Sequence, residues 1–376
     1  MSYITLDKEK LIHNYRFLNA LFKEHSIEWA VVAKLLCGNE LFLECLLEIT
    51  DRDVCDSRLS NLKKIKKIAP ATRTIYIKPP AKRLAASIVK YADVSFNSEL
   101  DTIKALSEQA VQQQKLHQIV IMVEMGELRE GVMSDNLKKL YGKIIRLPAI
   151  EVAGIGMNLN CLNGILPDRE KLSQLISHTK DLEHSYHRPI PTITAGSSVT
   201  VPLLFSGEVP HEINHFRIGE TLFFGTDVFH DRNISGMYQD VFKVTAEILE
   251  ITEKPMVPNG LSGTNLTGER PVFDENNRNK TSVRAIVDLG LLDIDPSDIF
   301  PLQEGLEIIG ASSDMMILNI GEGSPDLKVG DTLDFGMNYM AVLRTMNSEY
   351  VDKKVEHASV TGMNIPEPCH WPAVPA

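Results

Sequence analysis

No stretch of 18 apolar residues runs through the 376-residue chain, so no membrane-spanning helix is expected. The first residues, Met1-Ser2-Tyr3-Ile4-Thr5-Leu6-Asp7, lack the apolar core of a signal peptide, which points to the cytoplasm. Cysteine is sparse: Cys37, Cys45, Cys55, Cys161 and Cys369 are odd in number and widely scattered. That pattern argues against a disulfide framework, and without a C-x-x-C pair no metal is expected. In such a compartment the N-x-[ST] matches at Asn233, Asn265 and Asn279 carry no meaning. Basic clusters are few as well. Lys and Arg total 39 against 50 Asp and Glu, a net charge of −11 at pH 7. The densest basic stretch, Lys63-Lys64-Ile65-Lys66-Lys67, reads as the solvated face of a short helix. This balance argues against a nucleic-acid groove, which requires surplus cations to neutralise phosphates.

What is present is ordinary for a globular protein: 43% hydrophobic and 24% charged residues exclude disorder, collagen and coiled coil. The length suggests two domains, or one large barrel with an appendage. Over residues 7–230 short β-branched runs alternate with stretches of helical period. Strands are expected at Glu28–Lys34, Asp53–Ser57, Arg73–Lys78, Asp93–Asn97, Gln118–Glu124, Glu151–Asn158, Pro191–Ser197 and Phe216–Phe224. A helix over Ser98–Gln112 would put Leu100, Ile103, Leu106 and Ala110 on one face. Eight strands alternating with helices make an α/β protein of the (β/α)8 TIM barrel class. An open doubly wound sheet is the competitor, but the Gly-rich dinucleotide fingerprint after the first strand is missing.

Beyond about residue 240 helical periodicity fades. Val241–Ile251, Ser282–Leu289, Leu306–Ala311, Met315–Ile320 and Thr332–Phe335 read as strands of a C-terminal, mainly β domain, assigned to residues 1–6 and 238–376. The Gly-, Asn- and Thr-rich loop Pro258–Asn279 is long enough to be functional or mobile, and the proline-rich tail Asn364–Ala376 is expected to lack regular structure.

In a parallel barrel reactive groups gather at the carboxyl ends of strands. Those ends carry Lys34, Asp56-Ser57, Lys78, Asn97-Ser98, Glu124 with Arg129 beyond, Asn158 to Asn160, Ser197-Ser198 and Arg217. Lys34 closes the apolar run Trp29-Ala30-Val31-Val32-Ala33. A desolvated lysine there is a good amine nucleophile for an aldehyde; the alternative is a side chain that snorkels to water. Thr194-Ala195-Gly196-Ser197-Ser198-Val199 passes from strand through small residues to a helix start, which suits a phosphate or a plain serine cap. Arg217, among apolar neighbours, needs an acceptor: a carboxylate such as Glu220, a phosphate or a ring nitrogen. A phosphorylated aldehyde in a barrel mouth, pyridoxal 5′-phosphate, answers all three.

The collinear segments Val31-Val32-Ala33-Lys34-Leu35-Leu36-Cys37-Gly38, Asp56-Ser57-Arg58-Leu59-Ser60-Asn61-Leu62, Phe96-Asn97-Ser98-Glu99-Leu100, Met125-Gly126-Glu127-Leu128-Arg129-Glu130-Gly131, Gly154-Ile155-Gly156-Met157-Asn158-Leu159-Asn160-Cys161, Arg217-Ile218-Gly219-Glu220 and Gly310-Ala311-Ser312-Ser313-Asp314 together resemble the alanine racemase-fold (fold type III) pyridoxal-phosphate enzymes. Within them the chain is most similar to the ornithine racemase-like group of amino-acid racemases. The resemblance implies that Lys34 holds the cofactor as a Schiff base and acts as one of two bases. It implies further that Ser198, with Ser197, holds the phosphate, that Arg217 faces the pyridine nitrogen and that Arg129 bonds the phenolic oxygen. By the same resemblance Asn158 stands where a ring-stacking His is usual, and Tyr339 reaches the phosphate from the β domain.

Two positions depart from the family. Leu291 in Asp288-Leu289-Gly290-Leu291-Leu292-Asp293 takes the place of the catalytic tyrosine that the partner subunit of a homodimer contributes. Cys37 replaces a phosphate-contacting tyrosine. Asp293 and Ser313 are the candidates for the second base. The implied function is a two-base amino-acid racemase acting on a small-molecule amino acid, with a basic one such as ornithine or lysine as the candidate substrate. The alternatives are a non-catalytic pyridoxal-phosphate-binding protein and a decarboxylase of the same fold.

Overall fold

Strands buried on both faces read as nearly continuous apolar runs, and residues 29–32 and 119–122 of the barrel do so. The protein, described as a computed structural model, covers residues 2–266, 268, 270–321 and 326–357. The tail Asn364–Ala376 and Cys369 lie outside the described residues. The chain divides into a barrel unit, Glu9–Gln239, and a β unit in which Met1–Lys8 joins Asp240–Ala358.

The order begins with β1 (Tyr3–Asp7) and α1 (Lys8–Glu24). The barrel strands follow: β2 (Glu28–Val32), β3 (Val54–Asp56), β4 (Thr74–Tyr76), β5 (Val94–Asn97), β6 (His117–Met122), β7 (Ile150–Gly156), β8 (Thr192–Ser197) and β9 (His215–Ile218). Between them run α2 (Glu40–Ile49), α3 (Leu59–Ile68), α4 (Ala85–Tyr91), α5 (Leu100–Gln112), α6 (Ser134–Ile144), α7 (Arg169–Tyr186) and α8 (Val201–Phe205), with α9 (Glu220–Phe224) after the last. The strand β2 pairs in parallel with both β3 and β9, Val31 standing opposite Val54 and Ile218, which closes the cylinder. Residues two apart on a strand point the same way. Ala30 and Val32, Val94 and Phe96, and Val120 and Met122 accordingly join Cys55 and Ile75 in one buried cluster. The Val, Ile, Phe and Met side chains among them each contribute about 1.5–3 kcal/mol by leaving water.

The helices start where the sequence supplies caps. Asn39 accepts from the Phe42 N–H at 3.1 Å ahead of α2, and Asp168 accepts from Lys171 at 2.7 Å ahead of α7. On α5, Ile103, Leu106 and Ala110 are buried, the face the spacing predicts.

Four expectations are corrected here. The predicted strand Phe216–Phe224 ends at Ile218, because Gly219 breaks the extension and the apolar run Thr221–Phe224 coils into α9. Periodicity cannot separate so short a run into strand or helix. Lys34 does not close the first barrel strand, which stops at Val32; it opens the 3-10 turn Lys34–Leu36. The lysine-rich stretch of α3 is not wholly solvated, since Lys66 pairs with Asp93 at 2.8 Å and Lys64 donates to the Gly38 carbonyl at 2.7 Å. Arg217 does not pair with Glu220, as the site geometry below shows.

The β unit contains β10 to β18 except for the ribbon β10 (Thr226–Asp227) with β11 (Arg232–Asn233), which belongs to the barrel unit. Its long strand β12 (Phe242–Pro255) pairs over its first half with β1 and β17 (Thr332–Met337), and over its second half with β13 (Thr281–Val287). Outward lie β14 (Ile299–Pro301), β15 (Leu306–Ala311), β16 (Met316–Ile320) and β18 (Asp352–Glu356), the last parallel to β1. The sequence pattern misses β14, β18 and the helix α10 (Tyr339–Asn347).

Candidate active site

A cavity of about 430 Å³ opens at the carboxyl ends of the barrel strands. Lys34, Lys78, Arg129, Glu130, Cys161 and Arg217 line it, with Ser57, Asn158 and the core residues Phe96 and Met122.

Lys34 owes its place to the turn. The Ala33 N–H donates to the Cys55 carbonyl at 2.8 Å, which ties the exit of β2 to β3. Leu35 and Leu36 are buried and anchor the turn, while Lys34 stays exposed on the cavity wall. Among the described residues its Nζ makes no hydrogen bond or ion pair. Its charge reaches two carboxyls. Burial pushes Asp56 up to about 6, against hydrogen bonds from Arg58 and Asn61 and the Lys34 charge. Burial raises Glu220 too, and Lys34 pulls it back.

Arg217 is 6% exposed and lies over the Phe96 ring, 5.3 Å from its centroid. It donates through Nη1 to the Thr194 carbonyl at 3.0 Å and to Thr194 Oγ1, and through Nη2 to the Met157 carbonyl at 2.8 Å. A guanidinium has five N–H donors and no acceptor, so three are used and two stay uncommitted. Behind it, Thr194 Oγ1 lies 2.8 Å from His215 Nδ1. Burial, then the charges of Arg217 and Arg73, hold that imidazole down to about 3, so it is neutral at pH 7. Thr194 Oγ1 can then accept from Arg217 and donate its hydroxyl hydrogen to His215 Nδ1.

A measurable consequence follows from that chain. Thr194→Val leaves Arg217 and His215 without their shared partner in a buried setting, and should cost about 1–3 kcal/mol in urea unfolding. The pH dependence has a definite sign. The folded value of His215, about 3, lies below the ordinary 6.5, so the unfolded chain takes up the proton first. Stability is therefore lost as pH falls from about 6.5 towards 3, and His215→Phe should remove that component.

Arg129 sits on a loop that folds back against β6. Glu124 accepts from the N–H groups of Gly126 (2.6 Å), Leu128 (2.9 Å) and Arg129 (3.2 Å). Gly131 makes the return, with φ +147° and space for no Cβ, which would lie 2.4 Å from the Glu124 nitrogen. The Arg129 guanidinium is held by both oxygens of Glu130. Glu127, 1% exposed, reaches from the same loop into the next one and accepts from the N–H groups of Asn160, Cys161, Leu162, Asn163 and Ile165. That second loop brings Asn158 and Cys161 to the cavity, Asn158 Nδ2 donating to Cys161 Sγ at 3.1 Å.

Ser197 and Ser198 are not among the cavity-lining residues. Ser197 and Thr200 form a reciprocal cap at the end of β8, and Ser198 Oγ accepts from the Thr221 N–H at 3.2 Å, joining that turn to the start of α9. The Ser198 hydroxyl hydrogen keeps its freedom to donate.

The alanine racemase N-terminal domain family matches residues 6–227. The chain belongs to the alanine racemase family. An ornithine racemase from Acetoanaerobium sticklandii is 36% identical over 353 residues, covering 94% of this chain and 99% of the relative. A lysine racemase from Thermotoga maritima is 31% identical, covering 94% and 98%. The fold is that of solved alanine racemases. The Clostridium difficile 630 enzyme matches with a TM-score of 0.72 at 15% identity, over 95% of this chain and 96% of its own. The Bartonella henselae enzyme, solved with covalently bound pyridoxal phosphate, matches at 0.70 and 15% identity, over 94% and 99%.

Of the residues singled out in the sequence, Lys34, Arg129, Asn158 and Arg217 share this family's barrel cavity. Asp293, Ser313 and Tyr339 belong to the β unit. There the Leu292 N–H donates to the Ser313 carbonyl at 2.8 Å, so Asp293 and Ser313 stand on adjoining loops, and Ser348 Oγ donates to Asp293 Oδ1 at 2.5 Å. Tyr339 opens α10 behind the cap Asn338. Sequence reasoning gave no role to Lys78, Glu127, Glu130, Thr194 or His215. Only Lys78 carried a legible signal, a cation at a strand end followed by Pro79-Pro80.

Proposed function

We propose that the protein is a pyridoxal-phosphate-dependent racemase of basic amino acids, assembled as a homodimer. The observation that carries this reading is the unpartnered amine of Lys34 on a cavity wall shared with Arg217 and Arg129. The ornithine and lysine racemases that match nearly end to end support the substrate class.

The donor set fits the cofactor. Lys34 offers a free amine for the aldehyde, Arg217 has two N–H groups left for a ring nitrogen, and cations outnumber carboxylates on the wall. Ser198, with Ser197, would take the phosphate by hydroxyl and backbone N–H donation, assisted by Tyr339, and Arg129 would meet the phenolic oxygen. Asn158 would lie against the ring where it lines the cavity. When bound, pyridoxal phosphate supplies the electron sink that makes the α-hydrogen of an amino acid acidic.

This chain's own residues then handle the proton. Lys34, as a free amine on the cavity wall, would remove the α-hydrogen from one face. Arg217 cannot give up its own proton, so it keeps the ring nitrogen unprotonated. With Leu291 at the family's tyrosine position, the return of a proton on the other face falls to Asp293 or Ser313 of the partner's β unit.

The test is chiral chromatography of the cofactor-loaded enzyme on a panel of L-amino acids in heavy water. D-ornithine or D-lysine carrying deuterium at the α-carbon is expected. A loaded protein that inverts none of them overturns the reading in favour of a cofactor carrier, to which the missing tyrosine would point, and released carbon dioxide would favour a decarboxylase.

A further inference from the structure

An α-amino acid brings a carboxylate that some cation must meet, and the cavity wall offers Lys34, Lys78, Arg129 and Arg217. Lys34 is the reacting amine. Arg217 donates to Thr194 and Met157. Arg129 already spends Nε and Nη2 on Glu130, whose side chain is 13% exposed, and its remaining donors are the ones assigned above to the phenolic oxygen. Lys78 differs from all three. It is exposed on the cavity wall and, among the described residues, makes no hydrogen bond or ion pair.

We propose that Lys78 is the residue that binds the substrate's α-carboxylate, an assignment that rests on the racemase reading and sharpens it. Its backbone is held ready. The Ile77 N–H donates to the Asp56 carbonyl at 3.1 Å, and Pro79 and Pro80 stiffen the chain that follows the bend at Lys78 and narrow its backbone freedom. The four-carbon stem supplies the reach and the ammonium a rotatable set of donors. The barrel order separates this lysine from the phosphate end. Counted either way round the closed barrel, β4 and β8 are four strands apart, so Lys78 and the Ser197-Ser198 turn rise from opposite walls. A cation there serves the amino-acid end of the cavity.

The test uses the cofactor-loaded enzyme and the change in its absorbance when an amine displaces Lys34. The probes are L-ornithine and 1,4-diaminobutane, the same molecule without its carboxylate. Half-saturation by L-ornithine is expected at least about tenfold below that by the diamine in the wild type, the range of one charge-assisted hydrogen bond. Lys78→Met should raise the L-ornithine value about tenfold or more and leave the diamine and the cofactor affinity within about twofold. Lys78→Arg should recover most of the difference. Equal weakening of both probes overturns the proposal, as does loss of cofactor affinity with the ratio intact, which would place Lys78 on the phosphate; neither result touches the racemase reading. No response to any amino acid in the wild type defeats that reading and this assignment together.

Discussion

Lys34→Ala should lower racemisation by about 10³-fold or more while leaving unfolding free energy within about 0.5 kcal/mol of the wild type. The two halves of that expectation have separate causes. The side chain is exposed and, among the described residues, engages no hydrogen bond or ion pair, so its removal strands no partner. Leu35 and Leu36, which are buried, keep the turn in place without it. The chemistry has no such reserve. In the proposed mechanism the amine is at once the group that would covalently retain the aldehyde and the base on one face, and the other amine on the wall, Lys78, stands just beyond β4, two strands away. Stopped assays for D-product with urea unfolding of the same preparations measure both quantities. A variant that retains more than about a tenth of wild-type turnover would remove Lys34 from the mechanism.

The barrel was readable because parallel strands are buried on both faces. Val54–Asp56 and Val94–Asn97 are buried at every position, and such runs stand out between polar turns. Lys34 was readable for the same reason, as a charge directly following that kind of run. The β unit gave less. In α10 the buried residues are Ala341, Val342, Thr345 and Met346, a helical spacing that opens behind the cap Asn338, but nine residues following a strand-like run carry little periodic signal. Gly219 illustrates the opposite failure: an apolar stretch continues past it although the backbone does not. The site splits along the same line. Residues that reach the cavity from strand ends were visible as a list, whereas contacts that join distant loops were not. Thr194 and His215 lie 21 positions apart, and nothing in either neighbourhood announces their hydrogen bond. The sequence asked for an acceptor for Arg217, whether a carboxylate, a phosphate or a ring nitrogen, and could not show the carbonyls of Thr194 and Met157 that accept from it, which any residue types would supply.

Glu127 is the extreme of that hidden class, and its replacement should have the largest effect on stability. One carboxylate gathers five backbone N–H groups 33 to 38 residues further along the chain, and the Glu127 carbonyl accepts from Asn163 Nδ2 at 2.7 Å. Burial alone would raise its pKa. The N–H groups of Leu162, Asn163, Ile165 and Cys161 outweigh it and hold the carboxyl down to about 2. Glu127→Ala empties the hub of the loop and leaves those donors unsatisfied, which should cost about 3 kcal/mol. Glu127→Gln retains the shape but turns an N–H₂ donor towards other donors, so most of the loss should persist. The pH signature separates the charge from the packing. The folded value lies below the ordinary 4.5, so the unfolded chain binds the proton first and the stabilisation is complete above about 4.5. It is lost as pH falls from there through about 2, and Glu127→Gln should flatten that part of the urea-unfolding profile. The same variants should loosen Asn158 and Cys161 at the cavity, which iodoacetamide labelling of Cys161 reads directly as a faster rate. Unfolding curves of wild type and Glu127→Gln that run parallel between pH 4.5 and 2.5 would show that the ionised carboxylate is not what holds the loop.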